Sequence, residues 1–395
     1  MTVKSRKRIF FCFGLLFVFL LILLSANKIE TEKDIHKYAH PPVEVPTRMD
    51  TVIDVFSNFF KNEMDSIASP GAALTIVDKN SIVFTETYGV KEMNTTDSID
   101  EHTVFRLASV SKGFASFLTA LMVEDGKIDW DDPVKKYLPE LTLKDSSNTD
   151  EITIRHLLNH TSGLVPHAYD DRIEDGTTFE HIIPELRNVD ICCPSGKVYG
   201  YQNVVYSLIS PVIEKATHRS FNKLMEERVF SPLSMHDASV GYTDFLNSGN
   251  FAKPHLRGAK AWHISSIDEN YYHLIPAAGV NASICDMAVW LITLLNGYPE
   301  VVSGESLKHL FEPSVQTALK WSYTRYWDEK LENKYYGLGW RIYEYDNKKI
   351  VYHGGYVKGY RSEVAFCPEE GIGMAVLMNS TSRLASQSVP KFFQM

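Results

Sequence analysis

Phe105-Arg106-Leu107-Ala108-Ser109-Val110-Ser111-Lys112 is the stretch on which the reading of the fold turns. It follows β-rich sequence and precedes a run in which Phe114, Phe117, Leu118, Leu121 and Met122 recur at helical spacing, closed by Gly126. A serine hydroxyl is a poor nucleophile until a neighbour removes its proton. A lysine can do so when burial or nearby charge depresses its ammonium pKa. Spaced Ser-x-x-Lys over the first turn of a helix, the two side chains share a face. The helix N-terminus adds free backbone N–H groups that can stabilise an oxyanion. The pattern occurs four times, beginning at Ser25, Ser109, Ser220 and Ser388, so one copy alone carries little weight. Only the copy at Ser109 joins a β-rich region to a strong amphipathic helix.

Working outward, residues 72–77 and 82–88 are β-rich runs joined by Asp78, Lys79 and Asn80, a hairpin signal. Further short strands are expected at 338–345, 350–353, 361–367 and 372–378, with helical patterns between the two groups. Strands from both ends of the chain around a helical insert predict an α+β fold, an α/β sandwich. Its antiparallel sheet is built from N- and C-terminal strands and flanked by helices, with a separate helical lobe. A cleft between sheet and lobe is the expected place for a site. Val52, Val55, Phe56, Phe59, Phe60 and Met64 recur at helical spacing and predict an amphipathic helix that needs a surface to pack on. Residues 383–388 open a final helix, which Pro390 is expected to interrupt.

The chain of 395 residues is 44% hydrophobic and 23% charged, proportions of a globular protein rather than a disordered one. A net charge of -9 with scattered Lys and Arg offers no basic face and excludes nucleic acid as a partner. The N-terminus differs. Lys4, Arg6, Lys7 and Arg8 precede an uncharged run at residues 9–26, so residues 1–26 read as a signal peptide or membrane anchor. Cleavage requires small residues at two positions, and Leu24, Ser25 and Ala26 supply only the second, which favours the anchor. The positive flank would stay cytoplasmic, placing the rest outside as an exported, membrane-anchored domain, or a secreted one if the segment is cleaved. Residues 27–49, with Pro41, Pro42 and Pro46, read as a tether, and residues 50–395 as the folded domain. Five cysteines make no disulfide framework in a chain of this length, and buried free thiols are expected, with pairing of Cys192 or Cys193 to Cys285 or Cys367 left open. The fourteen histidines show no metal-ligand spacing, so neither metal nor cofactor is expected.

Five further elements join the first. Glu124 to Ile128 follow the helix; Leu157-Leu158-Asn159-His160-Thr161-Ser162-Gly163-Leu164, Tyr201-Gln202-Asn203, Pro232-Leu233-Ser234-Met235 and His353-Gly354-Gly355 lie downstream in that order. Together with Phe105 to Lys112 they resemble the class C β-lactamase and penicillin-binding DD-peptidase family, including its Y-x-N element and its third element, written K-T-G or H-x-G. The resemblance runs from about Phe56 to Asn379 and implies a β-lactamase/transpeptidase-like fold. It implies that Ser109 attacks a carbonyl while Lys112 and Tyr201 handle the proton, with Asn203 orienting Lys112 and the substrate amide. His353, Gly354 and Gly355 would line the substrate cleft, and the oxyanion would sit between the backbone N–H groups of Ser109 and Tyr356. The substrate class is then a D-amino-acid peptide or β-lactam, with a carboxylesterase or amidase, and a non-catalytic penicillin-binding scaffold, as alternatives. Two decoys are set aside. Tyr345-Asp346-Asn347 repeats Y-x-N in a charged turn and reads as a hairpin, and Ser162 lacks the G-x-S-x-G elbow and reads as a turn residue. A lysine in the third element would be a permanent cation, whereas His353 would be mostly neutral at pH 7. Arg361 is the candidate that would restore an anion contact, against its reading as a solvated strand residue.

Overall fold

A computed structural model describes residues 47–318 and 324–395. The chain divides into two units, Met1–Val52 and Ile53–Met395. The expectations for residues 1–26 and for most of the tether lie outside the described residues. No described helix is long and apolar enough to cross a membrane.

In chain order the strands are β1 (Gly71–Asp78), β2 (Ser81–Gly89), β3 (Phe105–Arg106), β4 (Ser239–Val240), β5 (His255–Arg257), β6 (Trp262–Ile264), β7 (Val280–Ala282), β8 (Val315–Gln316), β9 (Leu331–Tyr336), β10 (Arg341–Tyr345), β11 (Lys348–Val357), β12 (Tyr360–Cys367) and β13 (Ile372–Met378). Eight of them form one sheet in the order β2-β1-β13-β12-β11-β10-β9-β8. Every neighbouring pair in it is antiparallel. The two ends of the domain meet at the β1–β13 pair, where Ala73 lies opposite Leu377. This is the α+β architecture expected, with a helical lobe inserted between β2 and β8.

Strand periodicity tells which face each helix covers. Arg361 and Glu363 share one face of β12 and both meet Ser386 of the terminal helix, Leu384–Phe393. Ser362 and Gly373 lie on the other face. There Ser362 Oγ donates to Leu107 O at 2.6 Å, and a Cβ on Gly373 would lie 2.9 Å from Leu291 of the helix Ile284–Leu294. The sheet is therefore sandwiched, with the lobe on the Ser362 side.

The helix Arg48–Ser66 forms as its spacing predicts, burying Ile53, Phe56, Phe60 and Met64. Phe56 meets Phe392 edge-on at 5.3 Å, and Phe60 lies 5.2 Å from Tyr88. Val55 departs from the expected face and is 52% exposed, because Ile53 takes the inner position. Other corrections are local. β10 begins at Arg341 rather than 338, since Gly339 adopts φ 80 in a turn that seats Trp340 against Gly113 of the helix Ser111–Glu124. The terminal helix runs through Pro390 to Phe393: a proline in the seventh position costs one backbone hydrogen bond but does not end it. β9 was not predicted because Glu332, Asn333 and Lys334 break its apolar alternation. Tyr345 does close β10 before a tight turn, with Asp346 and Asn347 at φ 51 and 60.

Candidate active site

The turn that carries Ser109 is built by hydrogen bonds from both layers. Leu107 N donates to Val280 O at 3.0 Å, Val280 N donates to Ser111 Oγ at 2.9 Å, and Ser362 Oγ holds Leu107 O from the sheet. Ala108 sits at φ 47, a left-handed conformation that an alanine adopts only under tertiary constraint. A single helical turn, Ala108–Val110, then leads into the helix Ser111–Glu124. That helix buries Phe114, which stacks on Trp290 at 4.0 Å, and ends at Gly126 with φ 65. Gly113 has no room for a Cβ, which would stand 2.4 Å from the Trp340 ring.

Ser109 and Lys112 are thereby fixed one turn apart, with Nζ 3.4 Å from Oγ. Lys112 is fully buried. Its Nζ donates to Asn203 Oδ1 at 2.8 Å and to Ala277 O at 3.1 Å. Burial pushes its pKa well below the usual lysine value; Asp170 opposes that shift and Arg341 adds to it. A neutral amine has two N–H groups and one lone pair. The two donors are taken by Asn203 and Ala277, which leaves the lone pair for the Ser109 hydroxyl.

Tyr201 Oη donates to Ser109 Oγ at 2.9 Å. Burial raises the Tyr201 pKa, outweighing the opposing effect of its hydrogen bond with Ser109, so the phenol keeps its proton. The residues before it are stitched to the Leu157–Leu164 stretch: Gly196 N and Gly200 N donate to Thr161 O and His160 O. His160 Nδ1 accepts from Gln202 N at 3.2 Å, and its ring lies 4.4 Å from the Tyr201 ring. His160 is therefore a buried support for Tyr201, and burial holds it neutral. Ser162 is buried, accepts from Leu164 N, and lies in the turn expected of it.

The third element divides by strand parity. Gly354 and Tyr356 share the face of Glu363 and Arg361, whereas His353 and Gly355 face the lobe. A Cβ on Gly355 would stand 2.2 Å from both Leu107 O and Ser362 Oγ, so glycine here allows β11 to lie against the nucleophile turn. The two glycines do not bend the strand; they permit close approach. His353 is fully buried, donates from Nδ1 to Gly354 O at 3.0 Å and accepts on Nε2 from Tyr336 Oη at 3.0 Å. Burial, with Arg341 and Lys112 nearby, pushes its pKa well down. The expectation placed His353 in the substrate cleft; the structure buries it on the lobe-facing side of β11, against Tyr336, and it is not among the residues lining the cavity.

A cavity of about 510 Å³ opens over Ser109. Tyr201, Asn203, Gly354, Gly355 and Tyr356 line it, and Tyr356 is 57% exposed at its rim. Arg361 also lines it, stacked on the Tyr356 ring at 4.7 Å, rather than pointing into bulk solvent. Sequence reasoning missed Arg341, Glu363 and Asp170. Arg341 had a faint signal as a cation beside Trp340 and Ile342 in a strand. Glu363 is buried, with Tyr352 Oη donating at 2.6 Å and Ser386 Oγ at 3.0 Å, and burial raises its pKa. Asp170 looked like any solvated acid in the Asp170-Asp171 pair. Among the described residues no cluster of His, Cys, Asp and Glu is placed to hold a metal ion. Cys192, Cys193, Cys285 and Cys367 are all free; only Cys367 is buried, and Cys192 is exposed, contrary to the expectation of buried thiols.

A serine in reach of a buried lysine and a tyrosine, between an antiparallel sheet and a helical lobe, defines the β-lactamase/transpeptidase-like class. The family model described as Beta-lactamase matches residues 56–390, and the chain belongs to that family. It is 25% identical over 336 residues to "Unguisins hydrolase ungD'" of Aspergillus campestris, covering 82% of this chain and 61% of the relative. It is 26% identical over 343 residues to "Beta-lactamase" of Escherichia coli strain K12, covering 78% and 84%. The chain thus spans about three fifths of the fungal relative's length. The solved octameric penicillin-binding protein homologue from Pyrococcus abyssi shares the fold, with a TM-score of 0.75, 22% identity, and coverage of 87% of this chain and 77% of that one.

Proposed function

We propose that this chain is a serine hydrolase that forms an acyl-enzyme on Ser109 and cleaves an amide bond in a D-amino-acid peptide or β-lactam. The observation that carries the reading is the placement of Ser109 Oγ 2.9 Å from Tyr201 Oη and 3.4 Å from the Lys112 amine at the floor of the cavity. Neutral Lys112 takes the Oγ proton as Oγ attacks the carbonyl carbon. The oxyanion forms between the backbone N–H groups of Ser109 and Tyr356. Tyr201 passes its hydroxyl proton to the leaving nitrogen and is reprotonated from the Lys112 ammonium. Water then enters, gives a proton to neutral Lys112 and attacks the acyl carbon; the carbon–Oγ bond breaks, Oγ takes the proton back from the Lys112 ammonium, and the carboxylic acid leaves. Arg341 and Arg361 supply the positive charge that His353 does not, and a substrate carboxylate is the group they suit. The cationic flank and apolar run of residues 4–26 support an exported site of action.

One observation favours the esterase alternative: the third element offers no lysine, and its histidine is off the cavity wall. Labelling of residues 28–395 with a fluorescent penicillin and with a fluorophosphonate, each against Ser109→Ala, separates the readings. Penicillin labelling that disappears in Ser109→Ala is the expected result. Fluorophosphonate labelling alone would move the assignment to an esterase, and labelling unchanged in Ser109→Ala would remove Ser109 from the mechanism.

A further inference from the structure

A chain of hydrogen bonds leads from the nucleophile out to the edge of the cavity. Lys112 Nζ donates to Asn203 Oδ1 at 2.8 Å; Asn203 Nδ2 donates to both carboxylate oxygens of Asp170 at 3.1 and 3.0 Å; and Asp170 Oδ2 accepts from His167 Nδ1 at 2.8 Å. The segment delivering Asp170 is held in unusual conformations, with His167 at φ 59 and Tyr169 at φ 64. The direction of the chain follows from chemistry. A carboxylate only accepts, so it must face the amide nitrogen of Asn203, and the amide oxygen must then face Lys112.

We propose that Asp170 is a positioning residue for acylation: it locks the Asn203 amide with its oxygen toward Lys112 and so keeps the lone pair of the Lys112 amine on Ser109. The proposal rests on the Ser109 reading above. Without the carboxylate the amide can turn over and present Nδ2 to Lys112. That N–H would occupy the lone pair needed for the Ser109 proton, and the base would be lost while its atoms stayed in place. The carboxylate also places a negative charge next to Lys112, which favours the ammonium form. The charged and titratable groups facing Lys112 are Tyr201 and Tyr206, His160, His353 and Arg341. Those facing Asp170 are His167, Glu174 and Tyr201, with Tyr271 across the cavity.

The test is the rate of fluorophosphonate labelling of Ser109 as a function of pH in the full chain, in D170N and in the exchange variant D170N/N203D. An asparagine at 170 can either accept or donate, so D170N frees the Asn203 amide to turn. Its plateau rate is expected to fall about tenfold, the worth of one hydrogen bond to a charged group, and its acid limb to move about one pH unit lower. The exchange variant puts an acceptor-only carboxylate beside Lys112 and a donor at 170. It is expected to recover most of the plateau and to carry its acid limb to higher pH than D170N. Wild-type rate and limb in D170N would overturn the proposal. So would equal rates and limbs in the two variants when both melt at the wild-type temperature. A failure of the Ser109 reading looks different: labelling of the wild type would persist in Ser109→Ala.

Discussion

At the scale of single residues the environment sets the Lys112 amine against its solution default and reinforces that of the Tyr201 phenol. Burial depresses the Lys112 pKa and raises that of Tyr201, so the pair rests as a neutral amine and a neutral phenol. The sign of the pH dependence follows. The base is lost as pH falls through the depressed Lys112 value, whereas Tyr201 keeps its proton through neutral and mildly alkaline pH. Acylation rate should therefore show an acid limb and no alkaline limb below about pH 9.5. A stopped-flow or gel-based rate profile checks this, and a bell centred near neutrality would count against Lys112 as the base. Ser109, Lys112, Tyr201 and Asn203 were legible in the sequence because each sits in a short motif with a required neighbour. His353 was legible as a motif residue but not as a buried one. Whether a strand residue faces a cavity or a core depends on parity within a sheet, and the motif alone does not contain that. Arg341 and Asp170 come from segments that only the fold brings to Ser109.

At the scale of elements, precision comes from close approach. β11 carries Gly355 where any side chain would strike Leu107 O and Ser362 Oγ, so the strand presses the nucleophile turn against the lobe. Gly355→Ala should cost about 2 kcal/mol of stability through overpacking, and because the displaced atoms adjoin Ser109 it should slow labelling as well. Thermal melts with labelling rates test the pair of effects; a variant that melts lower but labels at the wild-type rate would show that β11 does not set the position of Ser109. The elements themselves were largely readable, β1, β2, β12 and β13 almost to the residue, because each alternates or is apolar between turn residues. β9 was hidden by its polar centre, and the last turns of the terminal helix by Pro390. In both cases tertiary packing overrode a local signal.

At the scale of the whole domain, the sheet is closed by strands from its two ends, and the nucleophile turn is bonded to both layers. Val280 holds it from the lobe and Ser362 from the sheet. Neither layer can open without releasing Ser109. On denaturant titration, loss of labelling competence and loss of the buried tryptophan signal from Trp290 and Trp340 should therefore coincide. A labelling-competent intermediate that has already lost the tryptophan signal would show the site to be a property of one layer. The central claim, that Ser109 is the acylated nucleophile activated by Lys112 and Tyr201, is tested most directly by intact-mass and peptide mapping of the full chain after brief exposure to a fluorophosphonate. A single adduct on the peptide containing Ser109, absent in Ser109→Ala and slowed about a hundredfold in Lys112→Met, is the predicted result. An adduct on any other residue, or one on Ser109 that forms as fast in Lys112→Met as in the wild type, would contradict it.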